Sequence, residues 1–172
     1  MTRTLAIDTK ILAAAAAQLA DAKKGCDIRA YDVSEHIRVA DYFLVITGTS
    51  RPHVKALQNE LHVRLKALGE QPITEGAALG WWILIDFGDV VVHILQEEAR
   101  EYYDLDHLYG ECPQLDWRAI EVGEIPEIPP RVRELEFAAE LEATGDVLET
   151  ADSELDAESD LESGLESEAL VE

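Results

Sequence analysis

Residues 81–105 read WWILIDFGDVVVHILQEEAREYYDL, and this stretch decides the fold. Two apolar runs of strand length, residues 81–86 and 90–95, flank a Phe-Gly-Asp turn at residues 87–89 and predict a β-hairpin. Residues 96–108 are then expected to form a short helix or a pair of turns. The hairpin needs only its apolar residues to fold, so the carboxylates, arginine and tyrosines at its end indicate surface recognition.

The first half of the chain supplies two more predicted strands. Residues 27–33 alternate apolar and polar side chains, as a half-exposed strand does. Residues 42–47 form a continuous apolar run, which is typical of a buried central strand. Residues 71–80, by contrast, are predicted to be a loop because of their Pro and Gly content. The four strands are expected to share one sheet.

Two helices are predicted to accompany these strands. The Ala-rich residues 11–19 favour an N-terminal helix, and this segment is far too short to span a bilayer. Apolar side chains recur at helical spacing over residues 54–68, with Ser50 available as an N-cap and Gly69 as a terminator. No membrane segment is therefore expected.

The order of elements is helix, strand, strand, helix, strand, strand, helix. This order predicts an α/β or α+β fold in a single small domain, residues 1–117, with a mixed β-sheet flanked by helices. Residues 118–172 are predicted to be a largely disordered acidic tail. Within the tail, the prolines of residues 125–130 indicate a linker, and residues 131–143 favour a marginal helix.

The charge of the chain narrows the choice of partner. The formal net charge is -22, and residues 118–172 contain 18 of the 36 acidic residues but only 3 of the 14 Lys and Arg. Such a chain repels phosphate backbones, so basic proteins are the expected partners and direct nucleic-acid binding is not. Cys26 and Cys112 are too few for a disulfide framework, which fits a reducing, cytoplasmic setting.

Three sequence features could suggest catalysis, and each has a simpler explanation. Residues 86–88 match the Asp-Phe-Gly triplet of protein kinases, but a glycine in a hairpin turn explains them, and the chain is too short for that fold. Residues 48–50 could cradle a phosphate at a helix N-terminus, although a serine-capped turn is the favoured interpretation. The five histidines follow no zinc-ligand spacing.

No enzymatic activity, metal or cofactor is therefore predicted. The alternative kept open is a divergent nucleotidyl or phosphoryl transferase that uses residues 48–50 as its phosphate cradle. This alternative needs a pair of carboxylates that holds magnesium, and a strand can bring two together only at positions i and i+2. No strand presents such a pair, because Asp86 and Asp89 are three apart across a turn.

The remaining polar and aromatic residues around the hairpin predict a protein-binding surface. Trp81 and Trp82 point to opposite sides if both lie in a strand, so one must cover a helix layer or face outward. His93 is either a satisfied structural residue of an apolar strand or part of the recognition face. The predicted binding residues are Glu75, Gly76, Trp82, Asp86, His93, Arg100, Tyr103 and Asp104.

Residues 32–109 resemble the ribosomal silencing factor family, also known as the Iojap family. The matching segments keep their order and spacing over about 80 residues, which makes the resemblance specific. They are Ala40-Asp41-Tyr42-Phe43, Gly48-Thr49-Ser50-Arg51, Glu75-Gly76 with Gly80 and Trp82, residues 86–93 (DFGDVVVH), and residues 100–105 (REYYDL).

The resemblance implies a small mixed-sheet domain related in fold to nucleotidyltransferases but without their metal-binding carboxylates. It also implies binding to the large ribosomal subunit through large-subunit protein fourteen, on the face that meets the small subunit. A factor seated there blocks subunit association and represses translation in the cytoplasm, typically under nutrient limitation. Homodimers are a further expectation from the family.

The chain departs from the family pattern in two places. Tyr109 stands where relatives commonly have a tryptophan, and it keeps most of the aromatic contact area. The acidic tail extends beyond the point where many relatives end, and it could either contact a basic ribosomal surface or repel ribosomal RNA. An acidic adaptor that works mainly through its tail is the third hypothesis.

Overall fold

The computed structural model describes residues 7–128. It contains four helices and five strands over this range. In chain order they are α1 Thr9–Ala22, β1 Cys26–Asp32, β2 Tyr42–Gly48, α2 Arg51–Lys66, β3 Ile73–Glu75, β4 Trp82–Asp86, β5 Val90–Gln96, α3 Glu97–Tyr103 and α4 Leu105–Leu108.

The five strands form one mixed sheet in the order β1-β2-β5-β4-β3. Strands β2 and β5 pair in parallel, and the other neighbours pair antiparallel. The helical segment α2 lies between the two parallel strands in sequence, as a parallel connection requires. The predicted α+β domain with a mixed sheet and flanking helices is confirmed, and residues 96–108 resolve into the helices α3 and α4.

The predicted loop at residues 71–80 is wrong in part, because it contains strand β3. Ile73, Thr74 and Glu75 pair with Asp86, Ile85 and Leu84 of β4 and form the edge of the sheet. A strand of three residues is too short to show a period of two, so only its pairing with β4 defines it.

The ends of α2 follow the expected capping chemistry. The Ser50 hydroxyl accepts a hydrogen bond from the His53 amide at 3.3 Å, which satisfies one free N–H of the first turn. The helix ends at Lys66, and Gly69 then adopts a φ of 99°, a conformation that favours glycine.

One face of the sheet carries the main core beneath α1 and α2. The sheet contributes Leu44, Ile46, Ile83 and Ile94, all fully buried. The buried alanines of α1 allow this helix to approach the strands closely, since they carry no side chain beyond Cβ. This side of the molecule is called the helix face below.

The opposite face of the sheet is only half covered. Helices α3 and α4 pack Ala99 and Leu105 against Tyr31, Val45 and Leu95, which belong to β1, β2 and the end of β5. The part of the sheet formed by β3, β4 and the start of β5 is left without a helix over it. The location of any docking surface follows from this unequal cover.

The chain continues across the helix face beyond Trp117. The Gln18 side-chain amide donates to the carbonyl oxygens of Trp117 and Ile120, each at 2.9 Å. Arg64 donates to the Ile125 carbonyl oxygen at 3.1 Å, and Val122 and Ile125 are partly buried against the core. The segment that leads to the acidic tail is therefore attached on the helix face.

Several sequence predictions lie outside the described residues, namely the marginal helix at 131–143 and the disorder of the tail beyond 128. The domain boundary at residue 117 stays a prediction. Within residues 7–128, none of the helices combines the length and apolar character needed to cross a membrane.

Candidate protein-docking face

The uncovered part of the sheet is the candidate site, and the strand register shows which side chains share it. Leu84 lies opposite His93 on one side and Glu75 on the other, and residues directly opposite across a ladder share a face. By the same register and the alternation along each strand, the open face comprises Ile73, Glu75, Trp82, Leu84, Asp86, Val91 and His93.

The open face mixes apolar side chains with carboxylates, and Asp86 lies between Ile73 and Val91 in the strand register. Ile73 on the edge strand is 64% exposed, and Leu84 and Val91 are partly exposed. Glu75 is exposed, and Asp86 is partly exposed while its Oδ1 accepts the Gly88 amide at 2.7 Å. The face as defined carries two carboxylates and no cationic side chain, so it complements a partner that offers apolar and basic groups.

Three aromatic rings stand at the end of this face beside α3. The Trp82 and Tyr103 rings lie 4.5 Å apart between centroids, and Tyr102 contacts Tyr103 edge-on at 5.0 Å. Tyr102 and Tyr103 are exposed, whereas Trp82 is partly buried. Trp81 precedes β4 and is itself exposed, so the two tryptophans occupy different environments. Rigid aromatic side chains of this kind are common anchors at protein interfaces.

His93 connects these aromatic rings to the centre of the sheet. Its Nδ1 accepts a hydrogen bond from the Trp82 indole N–H at 3.2 Å, and Phe43 packs edge-on against its ring at 5.0 Å. Burial lowers the pKa of His93 to about 4, so the imidazole is neutral near pH 7. His93 thus lies beneath the open face rather than projecting from it.

Arg100 is buried, with 7% of its surface exposed, and its donors are used within the fold. It donates to both carboxylate oxygens of Asp106, at 2.7 and 3.0 Å, and to the Asp27 carbonyl and the Thr47 hydroxyl, at 2.6 and 2.8 Å. The structure therefore places Arg100 in a supporting position, where it holds α3 against β1 and β2.

Asp106 is the acceptor at the centre of this arrangement. Its burial by itself raises the pKa of the carboxyl group, but hydrogen bonds from Arg100 and Tyr31 and the charges of Arg100 and Arg29 outweigh it and hold the pKa below its ordinary value. The Tyr31 hydroxyl donates to Oδ1 at 2.6 Å. The carboxylate remains ionised and fixes the junction between α3 and α4.

Gly76 and Asp104 also lie away from the centre of the open face. Gly76 has a φ of 78°, and a Cβ there would collide with the Trp82 carbonyl oxygen, so this glycine acts through the backbone that joins β3 to β4. Asp104 is exposed and closes α3 with a φ of 48°. It lines a polar cavity of about 500 Å³ together with Asp27, Glu97, Glu101 and Arg100.

The structure thus brings five of the eight predicted binding residues together. Sequence reasoning missed the apolar side chains of the same face, those of Ile73, Leu84 and Val91. The apolar runs of β4 and β5 place apolar side chains on both faces of the sheet, but helices covering both faces produce the same continuous runs. The five residues are Glu75, Trp82, Asp86, His93 and Tyr103.

The groups proposed as a phosphate cradle have partners inside the protein. The Thr49 amide donates to Nδ1 of His53 at 2.9 Å, and His53 Nε2 lies 2.9 Å from the Lys23 carbonyl oxygen. Ser50 serves as the N-cap of α2. Residues 48–50 therefore form a strand-to-helix turn locked by His53. Within residues 7–128 no group of His, Cys, Asp and Glu is arranged to hold a metal ion.

The fold and this face define a small α+β domain whose mixed sheet is open on one side. The family model described as "Ribosomal silencing factor during starvation" matches residues 6–146 of the chain. The protein therefore belongs to the ribosomal silencing factor family, whose members regulate translation at the ribosome.

Similarity to individual proteins agrees with this assignment. The chain is 42% identical over 88 residues to ribosomal silencing factor RsfS of Chromobacterium violaceum, covering 51% of this chain and 72% of that protein. It is 39% identical over 102 residues to RsfS of Bacillus subtilis, covering 59% and 86%. A crystal structure of protein CV0518 from Chromobacterium violaceum aligns with a TM-score of 0.59 at 33% identity, over 69% of this chain and 98% of that one.

Proposed function

We propose that this protein binds the large ribosomal subunit through large-subunit protein fourteen and thereby blocks association with the small subunit in the cytoplasm. The observation that carries the proposal is the open face, a half-sheet that combines apolar side chains with the carboxylates of Glu75 and Asp86, in a member of the ribosomal silencing factor family. Repression of translation follows from occupation of the joining surface.

The open face has the composition expected of such a contact. Ile73, Leu84 and Val91 offer apolar area, and Trp82 with Tyr103 offers rigid aromatic anchors. Ribosomal proteins are rich in Lys and Arg because they neutralise RNA, so the carboxylates of the open face favour such a partner over RNA itself.

The mechanism that we propose requires affinity and steric exclusion, without any covalent step. A blocked subunit cannot join its partner while the factor is bound, so the degree of repression depends on factor concentration relative to its dissociation constant. A concentration about ten times the dissociation constant occupies roughly nine tenths of the subunits, by the mass-action relation that governs ligand occupancy.

Sedimentation through sucrose gradients tests the docking surface. Ile73→Asp replaces an exposed apolar side chain of the open face by a charge and is expected to remove the protein from the large-subunit fraction. The matched control is Ile11→Asp, which introduces the same charge at a half-exposed isoleucine of α1, on the opposite side of the molecule. Equal co-sedimentation of both folded variants with large subunits would contradict docking through the open face.

Subunit joining provides the functional measurement. Light scattering of mixed large and small subunits should rise more slowly and to a lower level when the wild-type protein is present. Ile73→Asp is expected to restore joining, whereas Ile11→Asp is expected to block joining as the wild type does. Normal joining at saturating wild-type protein would contradict the proposed mechanism, even if the protein binds large subunits.

A further inference from the structure

Among the residues that define the open face, His93 is polar and almost fully buried, with 5% of its surface exposed. It stands on β5 between Val92 and Ile94, whose side chains point into the core on the helix face. An apolar residue would fit this position on burial alone. The choice of histidine therefore needs an explanation in its hydrogen bonds.

The hydrogen bond to Trp82 fixes the tautomer of the imidazole. Because Nδ1 accepts the indole N–H at 3.2 Å, the neutral ring carries its own proton on Nε2. The Nε2–H group of His93 is buried and finds no hydrogen-bond partner within residues 7–128. The ring thus makes one hydrogen bond to a side chain of the docking face and leaves its other polar atom unpaired.

Folding stability does not account for this arrangement. One neutral hydrogen bond adds little net stability, while an unpaired buried N–H costs a comparable or larger amount. The imidazole is also unable to ionise favourably in this environment. What the histidine supplies, and an apolar side chain does not, is an acceptor at a defined place beside the Trp82 indole.

We propose that His93 is a positioning residue for docking, which holds the Trp82 indole in the orientation that it needs to act with Tyr103 as one aromatic anchor. This inference rests on the proposed function of the open face. The indole is held by the hydrogen bond to His93 and by contact with the Tyr103 ring, 4.5 Å away between centroids.

An anchor that is ordered before binding loses less conformational entropy when the partner arrives. Without the hydrogen bond, Trp82 keeps its apolar contacts but gains freedom to rotate about its side-chain torsions. The partner then has to order this side chain on binding. The expected consequence is weaker affinity for the large subunit without a loss of folding stability.

Two substitutions at the same position separate positioning from packing. His93→Leu fills the site with an apolar side chain and removes the acceptor. His93→Asn places an amide oxygen near the position of Nδ1 and can accept the indole N–H, although it fills the site less well. Ile94→Val, a mild loss of packing on the opposite face of the same strand, controls for a general weakening of the core.

Two measurements on the full-length protein are required. The indole N–H resonance of Trp82 in proton–nitrogen NMR spectra, assigned with a Trp82→Phe variant, reports the hydrogen bond. Titration with purified large subunits reports affinity. His93→Leu is expected to shift and broaden the resonance and to weaken binding roughly three- to tenfold, the range that corresponds to ordering one side chain. His93→Asn should recover most of this affinity in spite of its poorer packing, and Ile94→Val should bind as the wild type does.

The possible outcomes distinguish the inference from the proposed function. Wild-type affinity in His93→Leu with an altered indole resonance overturns the positioning role while leaving docking intact. An unchanged resonance in His93→Leu overturns it whatever the binding assay shows. A variant series in which affinity follows folding stability alone, with His93→Asn weaker than His93→Leu, also overturns it. Absence of binding by the wild type overturns the proposed function itself.

Discussion

The Arg100 guanidinium and the Asp106 carboxylate form a two-point hydrogen-bonded pair, with N–O distances of 2.7 and 3.0 Å. The pair joins α3 to α4, and through the carbonyl oxygen of Asp27 and the hydroxyl of Thr47 it joins both helices to β1 and β2. Since α3 carries Tyr103, the buried pair also sets where the aromatic end of the open face stands relative to the sheet.

Replacing Arg100 by Ala should destabilise the protein strongly. The substitution leaves the partly buried Asp106 with the Arg29 guanidinium at 3.6 Å and the Tyr31 hydroxyl as its remaining partners, and breaking a buried ion pair costs at most about 3–5 kcal/mol. Urea unfolding followed by circular dichroism measures the change. Arg38→Ala, at an exposed arginine in the loop before β2, should change the free energy of unfolding by less than about 0.5 kcal/mol. Similar effects of the two substitutions would show that the Arg100 pair does not stabilise the fold.

Replacing Gly76 by Ala should destabilise the connection between β3 and β4. The backbone φ of 78° is unfavourable for alanine, and the new Cβ would meet the Trp82 carbonyl oxygen, so the expected loss exceeds about 2 kcal/mol. Gly88→Ala is the matched control, because Gly88 has a φ of 89° but open space around it. The free energy of unfolding of Gly88→Ala should fall by only about 1 kcal/mol, because backbone strain is the sole cost at this position. Thermal unfolding of both variants separates the effect of the collision with Trp82 from that of backbone strain. Equal losses of stability in the two variants would rule out the collision.

Folding stability should decrease as the pH falls from 6.5 towards 4. Burial lowers the pKa of His93 from 6.5 to about 4, so the unfolded chain takes up a proton in this range before the folded protein does. Above about pH 6.5 the histidine is mostly neutral in both states, and protonation of the unfolded chain lowers the free energy of unfolding by about 3 kcal/mol by pH 4. Urea unfolding at several pH values measures this slope.

The His93→Leu variant isolates the histidine in that experiment. The folded state favours the ionised form of Asp106, so the stability that this carboxylate contributes is lost only below about pH 4. Burial raises the pKa of Glu70, so this residue changes the free energy of unfolding in the opposite direction. Both effects are the same in the two proteins. The difference in the free energy of unfolding between wild type and His93→Leu should therefore change with pH as the titration of His93 requires. Parallel curves for the two proteins between pH 6.5 and 4 would contradict the assignment.

Two truncations should separate the tail from the folded domain. A chain that ends at residue 128 keeps the contacts of Ile120, Val122 and Ile125 with the helix face, and should retain stability and large-subunit binding. A chain that ends at residue 117 loses these contacts, the Ile120 acceptor of Gln18 and the Ile125 acceptor of Arg64, and should be less stable by about 3 kcal/mol. Loss of ribosome binding in the folded 1–128 chain would favour the acidic adaptor over docking through the open face.

Much of the fold can be predicted from local patterns in the sequence. The apolar runs at residues 42–47, 81–86 and 90–95 correspond to strands β2, β4 and β5, with Trp81 lying just before β4. The Ser50 cap and the helical spacing after it correspond to α2. Strand β3 could not be predicted, because three residues between a proline and a glycine show no period and become a strand only through pairing with β4.

The candidate site was accessible to sequence reasoning only in part. The aromatic and acidic residues around Trp82 and Tyr103 can be recognised in the sequence, because a hairpin needs only apolar residues to fold and these side chains require another explanation. The role of Gly76 depends on the pairing of β3 with β4, which brings it against the Trp82 backbone, and the role of Arg100 depends on a distant part of the chain, since it reaches Thr47, which is 53 residues away. No local pattern predicts contacts of this range, since they arise when strands from both halves of the chain pair.

The sequence by itself determined the hairpin, the mixed sheet and the recognisable pattern of Trp81 to Leu105, because strand periodicity, turn chemistry and capping act over a few neighbouring residues. The tertiary structure decided that α1 and α2 cover one face completely, whereas α3 and α4 cover only half of the other. That unequal cover leaves Ile73, Leu84 and Val91 uncovered beside Trp82. An apolar strand pattern is the same whether a helix or a partner covers it, so only the packing of helices on the sheet could show where this protein is open to another.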